Sequence, residues 1–307
     1  MKAIVTSDWH ARSDRPRCRI DGGKLVGEGK ANSAWQLFQR QCFKKIAIIA
    51  NNKKVPMAVI GDIFNKGHVI ERIIIDVLSA FRAVKEGTVF VAGNHDLPGH
   101  IFENLKDSAI GILMKASRIK NFSIDCLGSY SHFGSEIVES DIEPSVLFLH
   151  TLVFETEKEV PPNCEAITAD DLLKEFPDKK WIITGDMHRA FHYQKKGRHV
   201  INCGCINRQK ADELEYKPSV FYIDTENEIV ERILLDDDGI FVEDAYLTIE
   251  KERNDKLIAF AEAIKLKKDS KINLSLLDNL EVAIQKNKKI LGQAVIDEIY
   301  SLIEGEA

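Results

Sequence analysis

Residues 88–96 read TVFVAGNHD, and this stretch decides the fold. Val89, Phe90, Val91 and Ala92 follow Thr88 as an unbroken apolar run, which is the character of a strand buried on both faces. The run stops at Gly93, and Asn94, His95 and Asp96 follow at once. A buried strand that ends in a glycine turn and a polar cluster presents its side chains at the carboxyl edge of a sheet. Open α/β sheets build their sites there. The three side chains are a neutral oxygen donor, an imidazole and a carboxylate. They suit a metal ligand, a proton donor and a group that orients the donor.

Outward from this stretch the arrangement recurs. Ile4-Val5-Thr6-Ser7 runs into Asp8-Trp9-His10, and Met57-Ala58-Val59-Ile60 runs into Gly61-Asp62. Val146-Leu147-Phe148-Leu149 runs into His150, and Trp181-Ile182-Ile183-Thr184 runs into Gly185-Asp186-Met187-His188. One Gly-Asp after a strand is ordinarily a turn. Five strands in order, each delivering a residue that binds a hard or borderline metal, are more than turns. Between them lie helices. Asn32-Ser33 can cap a helix in which Trp35, Phe38, Cys42, Ile46 and Ile49 repeat at helical spacing to about Asn51. Ile70, Ile73, Ile74, Val77, Leu78 and Phe81 mark a second one, closed by Gly87. Strand and helix in alternation imply right-handed parallel crossovers.

This order of motifs resembles the calcineurin-like metallophosphoesterase superfamily, whose pattern is Asp-x-His, Gly-Asp, Gly-Asn-His-Asp/Glu, a lone His and Gly-His-x-His. The resemblance covers about residues 1–235 and departs at one position, where Asp186 replaces the first His of the last motif. It implies an α/β fold: a sandwich of two mixed β-sheets flanked by helices. It also implies two divalent cations that clamp a phosphoryl group and activate a water. Carried over residue by residue, Asp8, His10, Asp62 and His188 hold the first cation, and Asp62 bridges. Asn94, His150 and Asp186 hold the second. His95 protonates the leaving oxygen, and Asp96 orients it. Manganese is the expected metal, because Asp186 makes the second site richer in oxygen; iron, zinc or magnesium are alternatives.

Three features point within that superfamily to nuclease subunits of the SbcD type, many of them from bacteriophages. Gly61-Asp62-Ile63-Phe64 resembles their Gly-Asp-Leu-Phe. The segment 202–220, NCGCINRQKADELEYKPSV, resembles their Pro-Gly-Ser-x-x-Arg stretch and later Lys-Pro pair: Gly204, Arg208, Lys217 and Pro218 match, with Cys203 and Cys205 in place of Pro and Ser. A helical tail follows, which in that family binds an SbcC-like coiled-coil ATPase. The expected partners are therefore DNA, such an ATPase and a second copy of the chain as a homodimer, in DNA recombination or repair. The alternatives are a phosphatase or small phosphodiesterase, or a catalytically weak binding subunit in which Asp186 marks a lost second metal.

Composition bounds these readings. The chain has 307 residues, 44% hydrophobic and 29% charged, ordinary for a soluble globular protein with one large core and an appendage. No apolar run has the length of a membrane span, and the N-terminus enters a strand without a signal peptide, which implies a cytoplasmic protein, or one in the host cytoplasm if phage-encoded. Six cysteines in this length are read as reduced, and Cys203-Gly204-Cys205 as small residues filling a tight turn. The net charge of −6 argues mildly against a nucleic-acid partner, but bound cations reverse the sign locally. Residues 11–31 form an arginine- and glycine-rich loop, in which Arg15 and Arg17, with Arg208 farther on, are candidate phosphate contacts; an ordinary solvated loop is the equal alternative. Residues 97–145 and 151–163 show little periodicity, whereas strands are expected near 198–202, 219–223 and 229–235. The charge run Asp236-Asp237-Asp238 and Gly239 divides a catalytic domain, 1–238, from a helical region, 239–307. His68, His100, His132, His192 and His199 have no assigned role, although His192 and His199 follow the last motif closely enough to line the cleft.

Overall fold

The computed structural model describes residues 1–16, 19, 28–116, 145–160, 167–210, 213 and 215–235. Arg17 and the helical region expected over 239–307 lie outside them. The chain divides into two units, Met1–Tyr246 and Leu247–Ala307. Both sheets and the motif residues belong to the first unit.

The apolar runs become two sheets. In the first, β1 (Lys2–Thr6), β2 (Met57–Ile60) and β3 (Thr88–Val91) are parallel neighbours, and β10 (Ser219–Asp224) and β11 (Ile229–Leu234) extend it antiparallel from β1. In the second, β4 (Val146–Thr151), β7 (Trp181–Asp186) and β9 (Arg198–Asn202) are parallel, and β8 (Phe191–Lys195) closes the edge antiparallel to β9. A short parallel pair, β5 (Val153–Phe154) and β6 (Ile167–Thr168), stands apart.

Side chains alternate across each strand, so each sheet has two apolar faces to cover. Ala3, Val5, Ala58, Ile60 and Val91 of the first sheet share one core with Val146, Phe148, Trp181, Ile183 and Ile201 of the second. The outer face of the first sheet, with Ile4, Val59 and Phe90, is covered by α1 (Glu28–Lys53), α2 (Glu71–Ala83) and α3 (Ala109–Ala116). At its centre Trp9 stacks on Phe43 at 4.7 Å and meets Phe81 edge-on at 5.5 Å. The outer face of the second sheet packs Leu147, Leu149, Ile182 and Val200 against Leu172 of α4 (Ala169–Glu175). Thr168 caps α4, accepting the Asp171 N–H while Asp171 accepts the Thr168 N–H. The result is a helix–sheet–sheet–helix sandwich of mixed sheets, the expected fold class. Each of its fully buried large apolar side chains contributes about 1.5–3 kcal/mol.

Several local expectations change. Helix α1 begins at Glu28, so Asn32 and Ser33 lie inside it and do not cap it; Lys30 and Ala31 are good helix formers that start the helix ahead of them. The aperiodic segments hold α3 and β5, elements too short for a period to emerge. Strand β8 reads as polar, FHYQK, because it is an edge strand with one buried face.

Candidate metal centre

The parallel registers bring the carboxyl ends of the strands to one edge. Ile4 is opposite Met57 and Met57 opposite Thr88, while His150 is opposite Gly185 and Thr151 opposite Asp186. Beyond β1 and β2 the chains stay zipped: the N–H groups of Asp8, His10 and Ala11 donate to the carbonyls of Gly61, Asp62 and Ile63 at 3.1, 2.9 and 2.8 Å. Asp8, His10, Asp62 and Asp186 all have positive φ, at 50°, 42°, 50° and 86°. Left-handed backbone costs a non-glycine residue roughly 1–2 kcal/mol, so the surrounding packing is holding these residues in place.

The donors converge. His10 Nε2 lies 3.1 Å from His188 Nε2, 3.9 Å from Asp8 Oδ1 and 3.7 Å from Asp62 Oδ2. On the other side Asp62 Oδ1 is 3.2 Å from His150 Nε2 and accepts the His95 N–H at 3.0 Å. One carboxylate thus turns one oxygen toward His10 and the other toward His150, which is the geometry a bridging ligand needs. His150 Nδ1 donates to the Ile60 carbonyl at 2.9 Å, which leaves Nε2 bare. Asp8 is buried and accepts from Ser7 Oγ at 2.5 Å and from the Asp186 N–H at 3.1 and 3.2 Å.

The residues fit metal ions. Among the described residues, His150 Nε2 and Asn94 Oδ1 are buried without a hydrogen-bond partner, and a buried lone pair left unmatched is costly unless a cation meets it. Asp8, His10 and His188, and separately Asp8, Asp62 and His150, place ligand atoms within 4.8 Å of one another. Burial pushes the Asp8 carboxyl up to about 6, so it gains from nearby positive charge. Burial opposes the Asp62 carboxylate too, yet His150 and then His10 outweigh it and hold that pKa below the ordinary range. Asp186 enters through its backbone N–H on Asp8, and its carboxylate acts on His150, helping to raise that imidazole's pKa against burial. No contact among the described residues makes the Asp186 carboxylate a ligand.

His95 and Asp96 sit beside this cluster, and here one expectation is corrected. The Asp96 carboxylate is fully buried and accepts the N–H groups of Phe64, Gly93 and Ile63 at 2.7, 2.9 and 3.2 Å. It ties the loop carrying Asp62 to the loop carrying Asn94. Orientation of His95 falls to Asn65, whose carbonyl accepts from His95 Nδ1 at 3.0 Å. Burial, and then the nearby Asp62, pushes the Asp96 carboxyl up to about 7.

Glycines make the close approach possible. A Cβ on Gly93 would lie 2.1 Å from Asp62 Oδ1, and one on Gly61 would lie 2.1 Å from His150 Nδ1. Gly204, at φ 70°, has the Tyr216 hydroxyl 2.4 Å from where a Cβ would sit, so Cys203 and Cys205 flank a tight turn. Both thiols are buried and free.

Other predicted residues scatter. Arg15 lies half-buried in the loop after His10, and Arg208 is half-buried with its carbonyl accepting from the Arg19 guanidinium at 2.7 Å. Arg19 itself is buried over the Trp35 and Phe38 rings, 4.9 Å from each. His192 and His199 do not line the cleft. Nε2 of His192 is 3.0 Å from Nδ1 of His199, and His199 stacks on Trp181 at the end of β7 remote from Asp186. Two residues that shape the site carry no motif signal. One is Asn65, which acts through its backbone. The other is Glu213, whose carboxylate meets His188 Nδ1.

A two-sheet sandwich that brings carboxylate, amide and imidazole donors to one edge defines a class, the metal-dependent phosphoesterases. The sequence profile described as calcineurin-like phosphoesterase matches residues 1–220, and the chain belongs to that family. No curated protein sequence matches the chain. Among solved structures, a novel archaeal phosphodiesterase is 18% identical over 76% of this chain and 100% of its own, with a TM-score of 0.41. The protein TT1561 of Thermus thermophilus is 13% identical over 75% of this chain and 97% of its own, at 0.43. Zinc-bound Vps29 of Entamoeba histolytica is 12% identical over 79% and 97%, at 0.37.

Proposed function

We propose that this chain is a DNA phosphodiesterase of the SbcD type, acting with an SbcC-like coiled-coil ATPase. The observation that carries the reading is the place of segment 202–220, the stretch that resembles nuclease subunits. Two of its residues meet the candidate metal site: Cys205 bridges to Ser7 beside Asp8 and its N–H donates to the His188 carbonyl at 3.0 Å, and Glu213 hydrogen-bonds His188.

Asp8, His10, Asp62 and His188 would hold one divalent cation and Asp62, Asn94 and His150, with Asp186 nearby, a second; manganese suits this mixed set of carboxylate, amide and imidazole donors. When bound, such a pair polarises the phosphoryl group and lowers the pKa of a water. The chain's own residues do the rest. Because Nδ1 of His95 is committed to the Asn65 carbonyl, the proton it gives the leaving oxygen is carried on Nε2. Asp96 sets the position of His95 indirectly, by fixing the Gly93 turn.

The test is hydrolysis by the full chain with Mn2+ of single- and double-stranded DNA and of bis(p-nitrophenyl) phosphate, with and without an SbcC-like ATPase. DNA cleavage that the ATPase stimulates is expected. Cleavage of the aryl ester alone would favour a small phosphodiesterase. Metal binding without hydrolysis would favour a binding subunit.

A further inference from the structure

We propose that Glu213 is the positioning residue that decides which nitrogen of His188 carries the proton, and so keeps a bare Nε2 toward the metal centre. The inference rests on the metal-centre reading and is independent of DNA as substrate. Glu213 is buried, and its Oε1 is hydrogen-bonded to His188 Nδ1. Its Oε2 accepts the N–H groups of Gln209 and Lys210 at 2.6 and 3.1 Å, with the Cys205 thiol at 3.9 Å. Both oxygens are therefore acceptors, and the imidazole must present Nδ1–H. Nε2 is then left with its lone pair, 3.1 Å from His10 Nε2 and beside Asp8. Such outer carboxylates fix a ligand's tautomer and raise its basicity, and their loss weakens metal binding roughly 10–100-fold.

The backbone around Glu213 makes the proposal sharp. In Glu213→Gln the two N–H groups of Gln209 and Lys210 still need an acceptor, so the amide oxygen turns to them. The NH2 then points at His188 Nδ1, which must become the acceptor, and the proton moves to Nε2. An isosteric change would thus block the metal-facing nitrogen. Glu213→Ala removes the carboxylate but leaves either tautomer open. Side-chain packing alone predicts that Gln is milder than Ala; tautomer control predicts the reverse.

Titration calorimetry of the full chain with Mn2+ and with Zn2+ decides between them, and melting of the metal-free proteins reports the packing cost. We expect Glu213→Gln to weaken binding roughly 10–100-fold and by more than Glu213→Ala, while melting higher than Glu213→Ala. Equal affinity in wild type and Glu213→Gln, or a larger loss in Glu213→Ala, would overturn the proposal. Failure of the wild type to bind either metal would instead remove the metal-centre reading beneath it. If neither variant folds, 15N NMR of imidazole nitrogens in the Zn2+-loaded wild type decides. A protonated Nδ1 on His188 is expected, and a bare Nδ1 would overturn the assignment.

Discussion

Asp62 turns its two oxygens toward different imidazoles, one toward His10 and the other toward His150. Removing it should empty both metal positions, so Asp62→Ala should show neither cation by elemental analysis, against two per chain in the wild type. His95 has the opposite expectation. Its ring is turned by the Asn65 carbonyl and its N–H rests on Asp62. His95→Ala should retain both cations and lose roughly 10²–10⁴-fold in turnover; loss of a cation would make it a ligand. At this scale the sequence was legible where a residue closely follows an apolar run, as Asp8, Asp62, Asn94 and His150 do. It was illegible where contact crosses the chain. Asp96 next to His95 suggests a pair, yet its carboxylate is spent on three backbone N–H groups. Glu213 lies 25 residues from His188 and has no spacing that announces it.

Strands β2 and β3 hand their donors over at glycine corners, Gly61 and Gly93, and these corners are as specific as the ligands. A methyl group on Gly93 collides with the Asp62 carboxylate. Gly93→Ala should therefore cost metal affinity at least about tenfold although no donor is removed, as titration calorimetry would show; unchanged affinity would mean that Asp62 can step aside. A second element, the β8–β9 pair, carries its own titration. Burial, and then the neighbouring His192, pushes the His199 imidazole down to about 4. A folded pKa below the unfolded value of about 6.5 means that the neutral ring's contribution is complete above 6.5 and is lost as pH falls toward 4. Between pH 7 and 5 the wild type should lose more unfolding free energy than His199→Phe, by about 2 kcal/mol. The phenyl ring keeps the stack on Trp181, and the metal centre is common to both proteins. Parallel urea titrations measure the difference, and equal losses would rule out His199 as the source. The strands around these sites were readable because buried parallel strands are unbroken apolar runs. Strand β8, whose exposure rises from buried Phe191 to exposed Lys195, and the short α3 were not.

Over the whole molecule, function is divided between layers. Asp8, His10, Asp62 and Asn94 come from loops of the first sheet, and His150, Asp186 and His188 from the second. Neither sheet carries a working set, and the shared core of Val5, Ile60, Phe148 and Ile183 holds the two halves in register. The order of motifs disclosed this sandwich from the sequence. The seam between the sheets was hidden, because nothing local tells which strand faces which across a core. That seam has a consequence for heat resistance. Ions bound across it act as rivets between the layers, so unfolding must release them. Thermal stability then becomes a property of the medium as well as of the chain: at a free cation level of 100 times Kd the native state gains about 2.7 kcal/mol per site. Scanning calorimetry should find a melting temperature that climbs with the logarithm of free metal and drops in a chelator. The same protein would be robust in a metal-replete compartment and fragile in a starved one.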